Sequence, residues 1–335
     1  MTPPADHPAI APRKVGVLLL NLGTPDEPTP RAVKRYLLEF LSDRRVVEIP
    51  KLAWQPILRG IILQTRPKKS AHAYGLVWTD EGSPLAKITR AQCRALQGAW
   101  GPDVIVDYAM RYGTPAIGDR IDALKAAGCE RILLAPLYPQ YCAATTATAN
   151  DRAFAHLAGK RWQPALRTLP PYHDDPAYIG ALKTLVEAAL AALDFEPDAV
   201  VASFHGMPQR TLELGDPYHC HCRKTARLLS EAMGRELVVA FQSRFGRAKW
   251  LTPATDTVLE ALPGKGVKKV AILAPGFSAD CIETLEELAI RGRESFEGAG
   301  GERFAYLPCL NDSPPGVEML RSILGRELAG WVAVQ

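Results

Sequence analysis

The second half of this 335-residue chain repeats short segments of the first half, and this repetition constrains the fold more than any other feature of the sequence. The matching pairs are Met110–Gly113 with Ser243–Gly246, Leu134–Pro136 with Leu273–Pro275, and Leu169–Asp174 with Leu307–Asp312. The pairs keep the same order and are separated by offsets of 133, 139 and 138 residues. Such spacing indicates an internal duplication, in which both halves fold on one plan.

Each half also contains short apolar runs rich in Val, Ile and Leu, separated by longer stretches with helical periodicity. This alternation is typical of parallel strands joined by helical crossovers. The predicted strands are Val15–Leu20, Val104–Ala109, Arg131–Ala135, Leu166–Leu169, Ala199–Phe204, Leu237–Phe241, Lys269–Ala274 and Arg303–Leu307. We therefore predict an α/β fold of two similar doubly wound lobes, each with a four-stranded parallel sheet.

A polar turn at His173–Pro176 predicts the boundary between the two lobes. The first lobe then covers residues 15–176, after an N-terminal tail at residues 1–14 that we expect to be flexible. The second lobe covers residues 177–335 and is predicted to end in a helix.

Residues 46–83 match neither copy and are predicted to form an insertion in the first lobe. The insertion has an apolar core around Trp54, Ile57, Leu58 and Ile61, which basic residues flank. One interpretation is a buried helix. The other is an exposed lip that receives an apolar ligand or rests on a bilayer surface.

The charge balance and the cysteine content of the chain narrow its possible functions and its cellular compartment. The chain has 40 basic and 36 acidic residues, and this balance argues against a nucleic-acid-binding protein. No apolar run approaches the roughly 18 residues that a membrane span needs. The chain has 7 cysteines, an odd number that cannot all pair in disulfides, and no secretory signal precedes them. We therefore expect free thiols and a cytoplasmic location.

Ligands of an open parallel sheet bind beyond the carboxyl ends of its strands, so the residues that follow the predicted strands are candidate site residues. His205 directly follows one strand of the second lobe, and a predicted helix beginning near Cys281 follows another. On that helix Glu283 and Glu287 are four residues apart and share a face, and Glu286 lies beside them. Imidazole and carboxylate groups bind Fe²⁺ and also transfer protons.

Each of these features has a structural alternative. Glutamates in the first turns of a helix also interact with its dipole, and a histidine after a strand is often a hydrogen-bonded structural residue. Arg111 and Tyr112 end a predicted strand and suit either a carboxylate ligand or an ion pair that braces the sheet. Cys220 and Cys222 have a C-x-C spacing and lack a second cysteine pair, which argues against a metal site. For the helix predicted to begin near Cys281, the predicted N-caps are Ser278 and Asp280.

Several segments of the chain resemble the ferrochelatase family. In the second lobe these segments are Ser203–Arg210, Phe241–Leu251 and Pro275–Glu287. In the first lobe they are Asn21–Asp26, Phe40–Asp43, Glu81–Leu85 and Met110–Gly113. The matches occur in order through most of the chain, which makes the resemblance specific.

The resemblance implies two flavodoxin-like (Rossmann-type) lobes facing each other across a cleft. It implies an enzyme, a lyase, that inserts Fe²⁺ into protoporphyrin IX with release of two protons, the last step of haem biosynthesis, without a redox cofactor. His205 and Glu283 would form the metal-site and proton-abstraction pair, with Glu287 and Glu286 as an acidic path behind them. The residues implied to bind the porphyrin are Leu22, Arg111, Tyr112 and Trp250. The insertion would form the lip that admits the porphyrin, through Trp54, Ile57, Leu58 and Ile61.

The sequence departs from the family pattern at a few positions. Members that act on coproporphyrin often have Tyr where this chain has Leu22, so protoporphyrin IX is the expected substrate. The chain ends at Gln335 without the cysteine-bearing extension of cluster-containing members, and Ala143 replaces a cluster ligand of some of them. A [2Fe–2S] cluster is therefore disfavoured, although Cys220 and Cys222 leave it open.

Other functions remain as alternatives. A coproporphyrin III ferrochelatase is the nearest, followed by a chelatase that loads Co²⁺ or Ni²⁺ into an acid-rich tetrapyrrole, for which the apolar insertion is unsuited. A porphyrin- or haem-binding protein without turnover would need neither His205 nor its glutamates. The expected partners are a porphyrin and Fe²⁺ but no nucleic acid, and the lip leaves open a peripheral contact with the inner face of the membrane.

Overall fold

Each half of the chain forms one four-stranded parallel sheet in the computed structural model, which describes residues 14–246 and 248–332. The first sheet consists of β1 (Lys14–Gly23), β2 (Val104–Tyr112), β3 (Cys129–Pro136) and β4 (Ala165–Thr168), in the order β2-β1-β3-β4. The second consists of β5 (Ala199–His205), β6 (Leu237–Gln242), β7 (Lys269–Leu273) and β8 (Arg303–Tyr306), in the order β6-β5-β7-β8. The predicted strands and the pair of doubly wound lobes are confirmed, and both orders follow the flavodoxin-like pattern.

Helices connect the strands and cover the faces of both sheets. In chain order they are α1 (Pro30–Leu41), α2 (Lys51–Ile57), α3 (Leu63–Val77), α4 (Pro84–Leu96), α5 (Ile117–Ala126), α6 (Thr148–Ala158), α7 (Pro176–Ala191), α8 (Gln209–Glu213), α9 (Tyr218–Met233), α10 (Thr255–Ala261), α11 (Ile282–Thr284), α12 (Arg293–Gly298) and α13 (Pro314–Leu328). Segments with π-helical hydrogen bonding are Leu58–Ile62, Ala143–Ala147 and Leu285–Gly292, and a 3₁₀ turn occupies Pro263–Lys265.

The starts of α1, α4, α7 and α13 follow one local rule. In each, a capping side chain accepts a hydrogen bond from a backbone N–H of the first turn, and a proline occupies the start of the helix. The capping residues are Thr29, Ser83, Asp175 and Ser313. The predicted boundary between the lobes therefore falls at the start of α7.

Equivalent hydrogen bonds in the two sheets support the duplication. The amide of Leu169 donates to the carbonyl of Leu134, and the amide of Leu307 donates to that of Ile272, each over 2.8 Å. Both donor and acceptor are shifted by 138 residues between the halves. The two halves thus share their backbone plan as well as their strand order.

The backbone pairing corrects two of the sequence matches. Leu134 corresponds to Ile272, so its predicted match with Leu273 is wrong by one residue. The amide of Met110 donates to the carbonyl of Pro115 over 2.8 Å, and the equivalent bond in the second half joins Phe241 to Pro253 over 2.9 Å. Met110 therefore corresponds to Phe241, so the predicted match of Met110 with Ser243 is wrong by two residues. The similar letters of these two tetrapeptides do not reflect equivalent positions.

The same register relates the ends of the two central strands. Asn21 of β1 is paired with Met110, and Phe204 of β5 is paired with Phe241. The next residues, Leu22 and His205, therefore occupy equivalent positions at the carboxyl ends of β1 and β5.

The two lobes share one hydrophobic core. Val17 and Leu19 of the first sheet and Ala202 and Phe204 of the second belong to the same buried cluster. The hydroxyl of Ser278, just beyond β7, donates a 2.8 Å hydrogen bond to the carbonyl that follows β3, at position 137. The C-terminal helix α13 packs on α7 and also contacts α4 and β3 of the first half. The carboxyl edges of the two sheets therefore meet at the interface between the lobes.

The insertion forms a continuous helical segment from α2 through α3 with two different sides. Leu58 is completely buried, and the indole N–H of Trp54 donates a 2.6 Å hydrogen bond to the carbonyl of Leu41. Ile57 and Ile61 lie on the exposed side, with 41% and 59% of their surface accessible. The segment therefore combines the buried helix and the exposed apolar surface of the two interpretations.

The described residues contain no helix that is long and apolar enough to cross a membrane. Lys14 is the first residue of β1 and not part of a tail. The rest of the predicted tail, residues 1–13, lies outside the described residues, as do residues 333–335 at the end of the second lobe.

Candidate active site

His205 is the last residue of β5, and its ring has a defined orientation. Its Nδ1 lies 2.7 Å from the carbonyl oxygen of Gly206. A carbonyl oxygen can only accept a hydrogen bond, so Nδ1 carries the proton and the lone pair of a neutral ring is on Nε2. Nε2 is therefore the atom that can accept a proton or bind a metal.

The turn after His205 requires glycine at position 206. The amide of Gly206 donates a 2.8 Å hydrogen bond to the carbonyl of Gln242, and a Cβ atom at position 206 would lie only 2.4 Å from that carbonyl oxygen. Further along, the amide of Leu251 donates to the carbonyl of Met207 over 2.9 Å. These contacts fix the backbone that carries the imidazole.

Gln242 connects His205 to Glu283. Gln242 is the last residue of β6 and is paired in register with His205. Its Nε2 donates a 2.8 Å hydrogen bond to the backbone carbonyl of Glu283, and its Oε1 accepts a 2.9 Å bond from the hydroxyl of Ser203. The structure thus brings His205 and Glu283 to the same edge of the second sheet, where Gln242 is paired with one and bonded to the other.

The carboxylate of Glu283 faces the first lobe. Burial and, after it, the negative charge of Glu283 raise the pKa of Tyr74 on α3 well above its usual value. Burial, Tyr74 and Glu283 have the same effect on the pKa of Tyr36 on α1. Among the described ion pairs, no cation is paired with Glu283. Glu283 is therefore a half-buried carboxylate at the interface, beside phenols, and has no cationic partner among residues 14–246 and 248–332.

Helix α11 begins after Cys281, as predicted, but its caps differ from the prediction. Cys281 is the N-cap. The carboxylate of Asp280 instead accepts hydrogen bonds from the hydroxyl of Thr284 over 2.9 Å and from the side-chain amide of Asn311 over 2.6 Å. Ser278 bonds to the first lobe and caps nothing. The predicted capping roles of Asp280 and Ser278 are wrong, because both side chains hold the segment to its neighbours.

The two further glutamates have their own partners. Both carboxylate oxygens of Glu287 accept hydrogen bonds from Ser243, one from its amide over 2.8 Å and one from its hydroxyl over 2.6 Å. The carboxylate of Glu286 accepts a 3.1 Å bond from Arg291, five residues on, which is the spacing of the π-helical segment Leu285–Gly292. An acidic path through these groups stays a prediction.

Arg111 and Tyr112 lie in the first lobe, where both donate hydrogen bonds to the carboxylate of Asp43. Arg111 also donates to the hydroxyl of Thr148 over 2.7 Å. Burial by itself would raise the pKa of Asp43, but hydrogen bonds from the Thr148 hydroxyl, the backbone amide of Arg45 and the Tyr112 hydroxyl, together with the charge of Arg111, lower it. Tyr112 has no exposed surface. The contacts of Arg111 and Tyr112 with Asp43 are therefore those of the predicted ion pair that braces the sheet. Porphyrin binding by Arg111 and Tyr112 stays a prediction.

A cavity of about 540 Å³ opens beside the Asp43–Arg111 pair. It is lined by Arg35, Leu38, Glu39, Ser42, Asp43, Arg59, Arg111 and Arg152. Asp43 is not among the predicted site residues, although it lies in the Phe40–Asp43 segment that resembles the family.

Leu22 and Trp250 occupy opposite lobes at the interface. Leu22 is half-buried and packs against a cluster that joins Leu85 of its own lobe to Ala279 and Cys281 of the second lobe. Trp250 is largely buried, donates a 3.0 Å hydrogen bond from its indole N–H to the carbonyl of Phe245, and packs against Gly206. Trp250 therefore supports the turn that follows His205.

The cysteines of α9 differ in environment. Cys220 is exposed, whereas Cys222 is completely buried, and burial raises the pKa of its thiol well above the usual value. Burial likewise raises the pKa of Cys142 to about 12. Within residues 14–246 and 248–332, no three His, Cys, Asp or Glu side chains are grouped so that they could hold a metal ion.

The family model described as Ferrochelatase matches residues 14–328 of the chain. Among curated relatives, the ferrochelatase of Rhizobium meliloti (strain 1021) is 56% identical over 334 residues, which cover 98% of both chains. The ferrochelatase of Rhodopseudomonas palustris (strain TIE-1) is 53% identical over 336 residues, covering 98% of this chain and 97% of the relative.

Solved structures with this fold are more distant in sequence. SirB from Bacillus subtilis with Fe³⁺ superposes with a TM-score of 0.57 at 14% identity, covering 95% of this chain and 96% of SirB. CbiX, the terminal enzyme for biosynthesis of siroheme in denitrifying bacteria, gives a TM-score of 0.53 at 14% identity and covers 95% of this chain and 100% of its own. At this identity the likeness shows a common fold alone.

Proposed function

Because this chain belongs to the ferrochelatase family, we propose that Fe²⁺ enters the porphyrin at the interface between its lobes, where His205 and Glu283 act on the ring and the metal. Ferrochelatases insert a metal ion into a porphyrin, so the chain is an enzyme of haem biosynthesis. One observation carries the assignment of the site: Gln242 is paired with His205 and donates a hydrogen bond to the backbone of Glu283, which brings an imidazole and a carboxylate to one sheet edge. In the part of the chain that the structure describes, Nε2 of His205 has no hydrogen-bond partner and Glu283 has no cationic partner.

The chemistry needs a base and a negative charge at this place. A free-base porphyrin has two inner N–H groups, and both protons must leave as Fe²⁺ enters. Nε2 of His205 can accept a proton, and the resulting imidazolium would be stabilised by the hydrogen bond from Nδ1 to Gly206. Glu283 can compensate the positive charge of the metal or accept the second proton. His205 and Glu283 would be only two protein ligands. This small number suits a metal ion that is a substrate and must leave the protein for the ring.

The proposed substrate is protoporphyrin IX. Leu22 packs against the cluster of Leu85, Ala279 and Cys281 at the interface, so the described side chains of this cluster offer apolar surface and no cation for further carboxylates. Coproporphyrin III carries four carboxylates and acid-rich tetrapyrroles carry more, and both would favour a basic wall at this point. We therefore propose that these substrates are used less well.

A peripheral membrane contact through the insertion is also part of the proposal. Leu52 is 94% exposed, and Ile57 and Ile61 are exposed on the same helical segment. Lys51 and Arg59 are exposed beside them. Apolar side chains flanked by cations suit the interface of an anionic membrane, such as the inner face of the bilayer around the cytoplasm.

No resident cofactor is included in the proposed mechanism. Proton transfer and metal insertion move no electron between the protein and the substrate, so the reaction requires no redox group. The separate environments of exposed Cys220 and buried Cys222 support the view that α9 does not hold an iron–sulfur cluster.

An anaerobic assay tests the function. Purified protein is offered protoporphyrin IX or coproporphyrin III with Fe²⁺, Co²⁺ or Zn²⁺, and the metallated porphyrin is followed by its absorption spectrum. We expect insertion into protoporphyrin IX, loss of turnover in His205→Ala, and unchanged turnover in the control His72→Ala, whose side chain is exposed on α3. Porphyrin binding without turnover would contradict the enzyme, and full turnover by His205→Ala would remove His205 from the mechanism.

A further inference from the structure

Ser243 has a backbone conformation that serine rarely adopts. Its φ angle is 66°, in the left-handed region, and Asn311 is the other non-glycine residue with a positive φ in the part of the chain that the structure describes. Such a conformation persists only where neighbouring groups hold it, and it is often associated with function.

Glu287 is the group that holds Ser243. One carboxylate oxygen accepts the amide of Ser243 over 2.8 Å, and the other accepts its hydroxyl over 2.6 Å. Among the described ion pairs, the cation beside Glu287 is Arg291, which lies 3.8 Å away and makes its shorter contact, 3.0 Å, with Glu286. The carboxylate of Glu287 is thus occupied mainly by one residue of the loop that follows β6.

The loop beyond Ser243 reaches the insertion of the other lobe. Phe245 packs against Trp250 with 4.9 Å between ring centroids, and the indole N–H of Trp250 donates to the Phe245 carbonyl over 3.0 Å. The guanidinium of Arg66 on α3 lies 5.5 Å from the centre of the Phe245 ring. The loop therefore contacts the same helix that carries Tyr74 beside Glu283.

The end of the loop also supports the turn that follows His205. Trp250 forms a β-bridge with Pro208 and lies against Gly206. The amide of Gln209 donates to the carbonyl of Lys249 over 2.8 Å, close to this bridge. One carboxylate thus connects to the backbone next to the imidazole through the loop.

We propose that Glu287 is a positioning residue, which clamps Ser243 in the left-handed conformation and so orients the described parts of the loop, residues 243–246 and 248–251, between His205 and the insertion. The role rests on the proposed function of His205 and differs from that of a group in an acidic path. It predicts that Glu287 acts through Ser243, and that the two residues behave as one unit.

Four variants and one control distinguish a positioning role of Glu287 from a role in an acidic path. Glu287→Gln and Ser243→Ala each remove part of the bidentate contact, and the double variant combines them. Ser243→Gly loses the hydroxyl but keeps the amide and tolerates the positive φ, so we expect a smaller effect than that of Ser243→Ala. Arg244→Gln is the matched control, because it breaks an exposed ion pair with Asp256 in the same loop.

Two measurements are made on each variant. Limited trypsin digestion with mass spectrometry follows cleavage after Lys249, a site that every variant and the control retain, and we expect a several-fold faster rate in Glu287→Gln and Ser243→Ala. Anaerobic kinetics should show a several-fold higher KM for protoporphyrin IX and a smaller change in kcat. In the double variant both effects should be no larger than in the stronger single variant, because the two residues share one contact. Arg244→Gln should match the parent protein.

Two results would overturn the clamp. One is a lower kcat in Glu287→Gln while Ser243→Ala keeps the parent's KM and cleavage rate, which would assign Glu287 to the chemistry itself. The other is additive effects in the double variant. The cleavage rates require no turnover, so an inactive parent protein would contradict the proposed function and still leave the clamp testable.

Discussion

The side-chain amide of Gln242 donates a 2.8 Å hydrogen bond to the backbone carbonyl of Glu283. Gln242 is buried and is paired in register with His205. One amide group therefore sets the position of the helix start that carries the carboxylate relative to the strand that carries the imidazole.

Replacing this amide should misplace Glu283. In Gln242→Met, which is similar in volume, the bonds to Glu283 and Ser203 are lost, and we expect kcat to fall by about tenfold or more. Unpaired buried groups should lower the free energy of unfolding by roughly 1–3 kcal/mol. Gln163→Met is the control, because Gln163 makes the same kind of bond to a backbone carbonyl, that of Leu157, at an exposed site. Anaerobic turnover and urea unfolding measure both effects, and equal turnover in the two variants would contradict the positioning role.

Glycine at position 206 should be essential for activity. A methyl group in Gly206→Ala would meet the carbonyl oxygen of Gln242 at 2.4 Å and displace the turn after His205. We expect a loss of about 1–3 kcal/mol in the free energy of unfolding and a loss of most turnover. Gly60→Ala is the control, because no atom lies within 4 Å of a Cβ placed there. Thermal unfolding and the anaerobic assay compare the two, and an active Gly206→Ala enzyme would show that the turn can move freely.

Stability should fall in mild acid because of a stacked histidine pair between the lobes. The rings of His173 and His221 lie 3.6 Å apart, and Tyr141 donates its amide to Nδ1 of His221. Burial, with His221 as a further cause, lowers the pKa of His173 to about 4, although Asp174 acts in the opposite direction and Lys224 adds to the shift. Burial also lowers the pKa of His221.

The sign of the pH dependence follows from these shifts. The unfolded chain binds protons with the ordinary histidine pKa near 6.5, so between about pH 6.5 and pH 4 it binds more protons than the folded protein. The free energy of unfolding should therefore decrease by roughly 1–3 kcal/mol as pH falls through this window. His173→Phe keeps a stacked ring without a titrating group and should flatten the dependence, whereas His72→Gln should not. Urea unfolding between pH 4.5 and 7.5 measures it, and equal slopes in both variants would refute the assignment.

The exposed side of the insertion should bind anionic vesicles. Leu52→Ser combined with Ile61→Ser removes two exposed apolar side chains, and about 1–2 kcal/mol for each corresponds to at least a tenfold loss of vesicle affinity. The control is Leu214→Ser, because Leu214 is 61% exposed on the other lobe. Co-sedimentation with vesicles that contain an anionic lipid measures binding. Equal binding by the parent and the double variant would exclude the insertion as the contact.

The strands could be predicted because buried parallel strands are continuous apolar runs, but their ends could not. β1 continues through Leu22 and Gly23, where pairing with Tyr112 of β2 adds backbone bonds that no apolar run signals. The false match of Met110 with Ser243 has a similar origin, since similar side chains follow both strands while the register is set by backbone pairing.

Part of the candidate site could be predicted from the sequence. His205 and Glu283 follow strands and carry suitable groups, so their meeting at one edge was predictable from topology. The bond from Gln242 to a backbone carbonyl and the bidentate contact of Glu287 with Ser243 were not, because each depends on a side-chain direction and on a left-handed backbone. Tyr112 shows the reverse case, since a polar residue at a strand end is here completely buried.

The equivalence of Leu22 and His205 makes the two walls of the interface chemically unequal at matching points. A duplicated protein could present the same group from both sides, but here one side offers hydrocarbon and the other an imidazole. A flat macrocycle held between them would meet a base on only one of its faces. Deprotonation would then proceed from the side of the second lobe alone, so both inner protons of such a ring would leave toward the same wall.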